Sequence, residues 1–291
     1  MEDSNQNPKL RQAREEFHRD ICCDILGRRS GGYLSNADSG STTSKGIAEG
    51  IAERLGLPLC QDLPSPQTAG NLFEGHVRDY LQDTFDALTH IRPGNWIYET
   101  KKGIAISEFD QYEHLDSIVQ ALEDNEELKA SLGQDYLVSP DVVVGRQPVD
   151  DNGINEEEKI VEPGSQDEAG KTPLRELNNP GRPILHATIS CKWTIRSGRS
   201  QNSRTEALNI IRNRKGNTPH IAVVTAEPMP TRLSSIAMGT GDIDCTYHIA
   251  FPELIDTLEE MGNEDQLDMI RLLVRGRRLR DISDLPLDLA T

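Results

Sequence analysis

The feature that most constrains the fold is a strand–helix–strand pattern in the second half of the chain. An apolar, β-branched run at 184–191 predicts a strand, segment 201–214 predicts a helix, and a second β-branched run at 220–225 predicts another strand. A helix that separates two strands in this order is typical of a crossover between parallel strands. We therefore predict an α/β fold with these elements at the centre of a sheet.

Other short runs extend this sheet. A β-branched run at 141–144 follows Ser139-Pro140, segment 243–249 predicts a further strand, and segment 96–107 has the pattern of a short strand pair. We predict a mixed central β-sheet with helices on its faces.

The first part of the chain has mainly helical spacing. Amphipathic or capped segments predict helices at 10–26, 45–55, 71–89 and 109–132, and two more at 252–261 and 264–274. A chain of 291 residues is long enough to bury a sizeable core. We predict a single domain at 1–291, with a mainly helical N-terminal part at 1–135 and a core at 136–291.

Charge is distributed unevenly along this acidic chain. The formal net charge is −17, yet residues 192–215 hold seven lysines and arginines against one acid. Eight acids and a single lysine lie at 150–168, within a segment at 150–170 that has the composition of an exposed loop. The local excess of positive charge predicts that a polyanion binds at 192–215.

The cysteines and the hydropathy of the sequence indicate the cellular compartment in which the protein works. The five cysteines show no CxxC pairing, which favours reduced thiols over a disulfide framework or a zinc site. The N-terminus is polar, and no apolar run approaches the roughly 18 residues of a membrane span. We expect a cytoplasmic protein with no membrane partner.

Three residues have the chemistry and the placement of a hydrolytic site. Asp141 begins a predicted strand, Lys192 ends another, and Glu206 lies in the helix that follows. Two carboxylates with a gap between them suit Mg²⁺, and a nearby lysine can orient an attacking water. By spacing alone, solvated strand ends are the simpler explanation of the same residues.

The segment next to Lys192 favours the functional interpretation. Arg196 and Arg199 are three residues apart at the start of a helix, so their side chains point the same way. Arginine pairs bidentately with guanine O6 and N7 in the major groove. A hydrolytic site joined directly to a guanine-reading segment is the layout of a restriction endonuclease.

Long stretches of the chain resemble one family. SCKWTIRSGRSQNSRTEALNIIRNRKG from Ser190, PHIAVVTAEPMPTRLSSIAMGTGDIDCTYH from Pro219 and RGRRLRDISDLPLDLA from Arg275 are similar to the NgoMIV-like type II restriction endonucleases. These are PD-(D/E)XK nucleases that read CCGG-centred sites. Shorter matches occur at SNAD, QTAGNLFE and HIRPGNW in the N-terminal part.

The resemblance implies a restriction-endonuclease-like core and a catalytic set. It places the metal carboxylates on Asp141 and Glu206, the catalytic lysine on Lys192 and a further active-site acid on Glu74. Ser190 occupies the place of the acid in the usual D/E-X-K triplet. It also implies Mg²⁺-dependent cutting of double-stranded DNA at GCCGGC with 5′-phosphate ends, by a homotetramer built as a dimer of dimers.

The resemblance also implies a set of DNA contacts. Arg196 and Arg199 take the guanines of the CCGG core, Arg232 falls on a contact to the outer G·C pair, and Gln67 falls on a minor-groove contact.

One position departs from the family pattern. The family's reading segment is R-S-D-R, whereas this chain has Arg196-Ser197-Gly198-Arg199. The family's Asp accepts from cytosine N4, and its loss costs on the order of 1–3 kcal/mol of discrimination per pair. Two alternatives therefore stay open, a nuclease of relaxed specificity and a DNA-binding protein with weak or no cleavage.

Overall fold

The computed structural model of the protein describes residues 7–123, 138–195, 197–239 and 241–291. A six-stranded mixed sheet organises the described residues, and its strands follow one another in chain order across the sheet. The strands are β1 (Trp96–Thr100), β2 (Val142–Arg146), β3 (Ile184–Lys192), β4 (His220–Thr225), β5 (Cys245–His248) and β6 (Leu279–Asp281). β2 is antiparallel to both β1 and β3, whereas β3 to β6 are parallel. The predicted α/β class and mixed sheet are confirmed.

Helices cover the sheet and join its parallel strands. They are α1 (Lys9–Asp24), α2 (Thr42–Leu55), α3 (Pro66–Asp86), α4 (His114–Glu123), α5 (Asp151–Ile154), α6 (Ser197–Asn213), α7 (Pro230–Ala237), α8 (Phe251–Glu260), α9 (Glu264–Arg275) and α10 (Leu285–Leu289). Short 3-10 turns occupy Ile106–Glu108, Asp110–Tyr112 and Ile282–Asp284. The predicted strand–helix–strand unit is β3–α6–β4, in which Lys192 lies opposite Thr225.

Helix α3 is the part of the N-terminal region that positions the site. It begins five residues before the predicted start, because Pro66 fits the first helical position and the Ser65 hydroxyl accepts a hydrogen bond from the Thr68 N–H at 3.2 Å. Its apolar face packs on the sheet, where the Phe73 and Phe85 rings are fully buried. Truncating a buried ring of this kind to alanine costs about 3–5 kcal/mol.

Segment 96–107 is a correction to the sequence-based prediction. Only Trp96–Thr100 is a strand, and its partner is β2 rather than a local hairpin strand. The chain turns at 101–103 and continues in the 3-10 turns, which bury Ile106 and Phe109. The predicted helix at 109–132 is observed as α4, and residues 124–137 lie outside the described residues.

The acidic segment between β2 and β3 is exposed along most of its length but has an internal anchor. The Arg175 side chain is 0% exposed and donates from Nε to Asp151 Oδ1 at 2.5 Å and from Nη2 to Asp151 Oδ2 at 2.9 Å. These hydrogen bonds lower the pKa of Asp151 to about 2. The remaining guanidinium donors bond the carbonyls of Glu162 and Glu168. One arginine thus holds together a segment that is otherwise acidic and turn-rich.

Two further features concern the predicted compartment. All five cysteines are free thiols in the structure. Among the described residues, no helix is both long enough and apolar enough to cross a membrane.

Candidate active site

Asp141 and Lys192 meet at one end of the sheet. Asp141 directly precedes β2, and Lys192 is the last residue of β3, so antiparallel pairing brings them side by side. Lys192 Nζ donates to Asp141 Oδ2 at 2.8 Å, and the Cys191 N–H donates to the same oxygen at 2.8 Å. The carboxylate is largely buried, so two donors on one oxygen fix its orientation.

Glu74 reaches the same place from α3. It is buried, and its Oε1 accepts a hydrogen bond from Lys101 Nζ at 2.5 Å. The Lys101 ammonium also lies 3.4 Å from Asp141 Oδ1, so it bridges the two carboxylates. Burial raises the pKa of Glu74, and the hydrogen bond from Lys101 opposes that shift.

Glu206 approaches from α6. Burial raises its pKa to about 7, the positive charge of Lys192 opposes this shift, and the negative charge of Asp141 adds to it. No donor among the described residues lies within hydrogen-bonding distance of the Glu206 carboxylate. A half-buried carboxylate without a partner is costly to keep ionised, and a cation beside it removes that cost.

The donor set fits a hard divalent cation. Glu74, Asp141 and Glu206 offer carboxylate oxygens, which Mg²⁺ prefers. In the described part of the chain, no three acidic, histidine or cysteine side chains form a ready-made metal cluster, and Lys101 lies between Glu74 and Asp141. The two lysines bond Glu74 and Asp141, and neither donates a hydrogen bond to Glu206.

The residues that flank Lys192 have structural contacts. The Ser190 hydroxyl lies 3.3 Å from the Ser203 hydroxyl of α6, which ties the strand to the helix that carries Glu206. Burial raises the pKa of the Cys191 thiol well above its usual value, which disfavours the reactive thiolate form.

The structure describes some of the predicted DNA-contacting residues and not others. Arg196 lies outside the described residues, and Ser197, Gly198 and Arg199 are described only as the first backbone turn of α6. Gln67 is exposed on α3 two turns before Glu74, so it shares the face of that helix.

Arg232 is on α7. Its guanidinium pairs with Asp38 and lies 3.8 Å from Glu227.

Comparison with known proteins identifies the family. The sequence matches the family described as NgoMIV restriction enzyme over residues 17–291. The chain is also 46% identical to the type II restriction enzyme NgoMIV of Neisseria gonorrhoeae over 288 residues, which is 98% of this chain and 99% of that protein. The chain belongs to the NgoMIV restriction enzyme family. It is therefore a type II restriction endonuclease and a DNA-binding enzyme.

Two solved structures have a distant likeness to this NgoMIV family member. The crystal structure of the type IIF restriction endonuclease Bse634I with cognate DNA is 10% identical with a TM-score of 0.37, covering 89% of this chain and 95% of that one. A second structure, of Bse634I restriction endonuclease, is 12% identical with a TM-score of 0.33, covering 84% and 98%.

Lys101 is a site residue of this NgoMIV family member that the sequence reasoning missed. It follows β1, and its N–H donates to the Asp141 carbonyl at 3.3 Å across the first pair of strands. The antiparallel pairing of β1 with β2 is the signal that places it, and the sequence pattern at 96–107 indicated a different pairing.

Glu227 is a second residue that the sequence pattern does not indicate, and it links the segment after β3 to α7. Its side chain is 0% exposed and accepts from the Ile195 N–H at 2.8 Å and from the Met229 N–H at 3.1 Å. Its own N–H donates to Thr225 Oγ1, which donates in turn to the Lys192 carbonyl at 2.6 Å. A single buried carboxylate thus joins the residue before Arg196 to the helix of Arg232, in the way buried polar groups are normally satisfied.

Of the cations at 192–215, those whose side chains the structure describes lie at both ends of α6, and Arg196 and Arg199 are not among them. Lys192 lies at the end of β3, whereas α6 carries the chain back to the start of β4. Lys215 therefore lines a cleft at the other end of the sheet, beside Arg146 and His186. The described part of this charge excess is divided between the two ends of the sheet, and a polyanion site at 192–215 stays a prediction.

Proposed function

We propose that the enzyme hydrolyses double-stranded DNA at a CCGG-centred site, with GCCGGC as the expected sequence, and that it uses Mg²⁺ and leaves 5′-phosphate ends. The observation that carries the proposal is the contact between Lys192 and Asp141 at the end of β3. The segment 196–199 begins four residues after this lysine. A hydrolytic group and the arginines that resemble the family's readers thus lie on one short stretch of chain.

The side chains divide the chemical work. Asp141 and Glu206 would hold Mg²⁺, with Glu74 supporting them, and a bound Mg²⁺ neutralises charge that develops on the phosphate oxygens. Lys192 lies against Asp141, so its ammonium can orient an attacking water beside the carboxylates and favour loss of a proton from it. In-line attack then breaks the bond to the 3′ oxygen and leaves a 5′-phosphate.

Recognition is assigned to a separate set of side chains. Arg196 and Arg199 are proposed to read the guanines of the core, Arg232 the outer G·C pair, and Gln67 the minor groove. Support for Arg232 comes from Glu227, which connects α7 to the residue before Arg196. A homotetramer that holds two duplexes, in the cytoplasm, completes the proposal.

A single substitution tests the catalytic assignment. Lys192→Ala removes the ammonium that contacts Asp141, so we expect cleavage of a GCCGGC plasmid to fall by at least about a thousandfold. Gel-shift binding of the same site in Ca²⁺ should stay measurable. Lys171→Ala is the matched control, because Lys171 is exposed in the segment between β2 and β3. Wild-type cleavage by Lys192→Ala would refute the assignment.

Gly198 is the observation that favours relaxed specificity within the same function. The family pattern has an aspartate that accepts from cytosine, and glycine has no side-chain acceptor. We expect Gly198→Asp to raise the cleavage ratio of GCCGGC to sites with one altered core pair by about tenfold or more, following the 1–3 kcal/mol cost of a mismatch.

Sequencing of the ends produced from a random-sequence DNA library measures this ratio for both proteins. Equal ratios for the wild type and the variant would contradict relaxed specificity. Binding without any cleavage by the wild type would establish the DNA-binding alternative.

A further inference from the structure

Lys101 holds the position between two carboxylates of the candidate active site. Its Nζ donates to Glu74 Oε1 at 2.5 Å and lies 3.4 Å from Asp141 Oδ1. Lys192 takes the other oxygen of Asp141, at 2.8 Å. The two ammonium groups therefore share Asp141, and of these two lysines only Lys101 also contacts Glu74.

The backbone explains why this lysine reaches the site. The N–H of Lys101 donates to the Asp141 carbonyl at 3.3 Å, where β1 ends beside the start of β2. The stem of the side chain then runs toward α3, where the Glu74 side chain is 8% exposed. Lys101 itself is one-third exposed, so its flexible side chain has an open route to solvent.

At this position an ammonium group and a divalent cation can compete for the same carboxylates. Three carboxylates, of Glu74, Asp141 and Glu206, are accompanied by two ammonium groups, and Glu206 has no hydrogen-bond donor among the described residues. An ammonium is a monovalent point charge with N–H donors, whereas a divalent cation brings twice the charge and binds oxygen directly. Both species favour the same carboxylate oxygens.

We propose that Lys101 is a positioning residue that occupies a cation position between Glu74 and Asp141 in the metal-free enzyme, and that it lowers the affinity of the site for a divalent cation by competing with it. The proposal rests on the proposed function, in which Asp141 holds the cation. When the cation binds, the Lys101 ammonium leaves the carboxylates for solvent. The lysine thereby keeps the acids assembled before the cation arrives and sets the concentration at which the cation displaces it.

The test measures binding of a cation to the full-length, DNA-free protein. Mn²⁺ is the probe, and loss of the free-ion electron paramagnetic resonance signal reports binding without any cleavage. We expect Lys101→Met to bind Mn²⁺ about tenfold more tightly than the wild type, because the variant removes a charge-assisted hydrogen bond that competes with the ion. Lys102→Met is the matched control, since Lys102 is the exposed neighbour and makes none of these contacts; its affinity should equal that of the wild type.

Two further proteins keep the result interpretable. Lys101→Gln retains a donor but no charge, and it should also bind Mn²⁺ more tightly. Asp141→Asn tests the proposed function separately, because it should lose Mn²⁺ binding whether or not Lys101 competes. Wild-type or weaker affinity in both Lys101 variants, with binding still lost in Asp141→Asn, overturns the role of Lys101 alone. Unchanged binding in Asp141→Asn overturns the cation site itself.

A measurement on the wild type covers the case in which neither Lys101 variant folds. Selectively labelled lysine side chains report their surroundings by nuclear magnetic resonance, and the Lys101 signal, assigned by its absence in Lys101→Arg, should move toward the solvent-exposed value as Mg²⁺ is added. A Lys101 signal that does not move at saturating Mg²⁺ overturns the proposal.

Discussion

The two ends of the central sheet hold their charged side chains in opposite ways. At the active-site end, where β3 finishes, lysines contact the acids: Lys192 bonds Asp141, and Lys101 bonds Glu74. At the opposite end, where β3 begins, Arg92 and Arg146 make no ion pair with any described residue, and the Nε atom of each is buried without a hydrogen-bond partner. At one end two lysines pair with two acids, whereas at the other two arginines have no acid partner among the described residues.

At the end of the sheet that holds Arg92 and Arg146, burial lowers the pKa of two histidines and so favours their neutral form. A cleft of about 670 Å³ there is lined by Arg92, Arg146, His186 and His220. Burial lowers the pKa of His186 to about 4, and the positive charges of both arginines add to the shift. The hydrogen bond between His186 Nε2 and the Leu289 carbonyl, at 2.8 Å, is too weak an opposing effect to restore it.

The comparison teaches that each end carries an electrostatic cost, with opposite dependence on pH. Glu206 keeps its proton up to a pH of about 7 in the folded protein, so stability falls as pH rises from 4.5 to 7. Folding lowers the pKa of His186 from 6.5 to about 4. The unfolded chain therefore binds this proton first, and the folded protein loses stability as the pH drops from 6.5 to 4. Variants at the two ends should therefore reveal the separate contributions of Glu206 and His186 to the dependence of folding stability on pH.

The largest expected effect is at the active-site end. Glu206→Gln removes a carboxylate whose pKa is raised by burial, so we expect the metal-free variant to be more stable than the wild type by as much as about 3 kcal/mol at pH 8. The gain should vanish below about pH 4, where the carboxyl is mostly protonated in both states. Urea unfolding in a chelator at several pH values measures the difference. Glu259→Gln, an exposed position on α8, is the control and should show no gain.

A lower stability of Glu206→Gln at pH 8 would contradict the raised pKa. It would mean that the carboxylate is compensated in solution by a contact outside the described residues. The same variant should lose cleavage, since Glu206 is proposed to hold the metal. A gain in stability together with a loss of activity is the expected signature of a functional site that is strained by its own charges.

The centre of the site was predictable because sequence order determines which strand ends meet. The β-branched runs at 141–144 and 184–191 placed Asp141 and Lys192 at strand ends, and the structure brings them into contact. Glu206 followed from the helix between parallel strands. Local patterns were sufficient because each residue lies at the boundary of an element with a strong periodicity of its own.

Lys101 and Glu227 were not predictable by the same route. Lys101 depends on pairing between β1 and β2, which lie about forty residues apart, whereas segment 96–107 was predicted to hold a short strand pair of its own. Glu227 is an acid with 0% exposure, whereas acids on a sequence are normally assigned to the surface. Its burial is stabilised by backbone donors that only the folded chain brings together.

The smaller expected effect is at the opposite end of the sheet. The His186 ring lies 4.8 Å from Trp96 and 5.0 Å from His220, centroid to centroid, in surroundings that disfavour its charged form. With a pKa of about 4 in the folded protein and about 6.5 when unfolded, His186 removes about 2 kcal/mol of stability between pH 7 and pH 5. We expect His186→Gln to lose about 2 kcal/mol less than the wild type over this interval.

The difference between two pH values is what isolates the ionisation of His186. Loss of the ring also removes packing against Trp96, but that cost is the same at pH 7 and pH 5 and cancels in the difference. His248 has a pKa similarly lowered by burial and is present in both proteins, so it cancels as well. His90→Gln, at an exposed position, should keep the wild-type slope. If His186→Gln kept that slope too, the imidazole would be protonated in the folded protein, and the opposite end would have an acid partner that compensates its arginines.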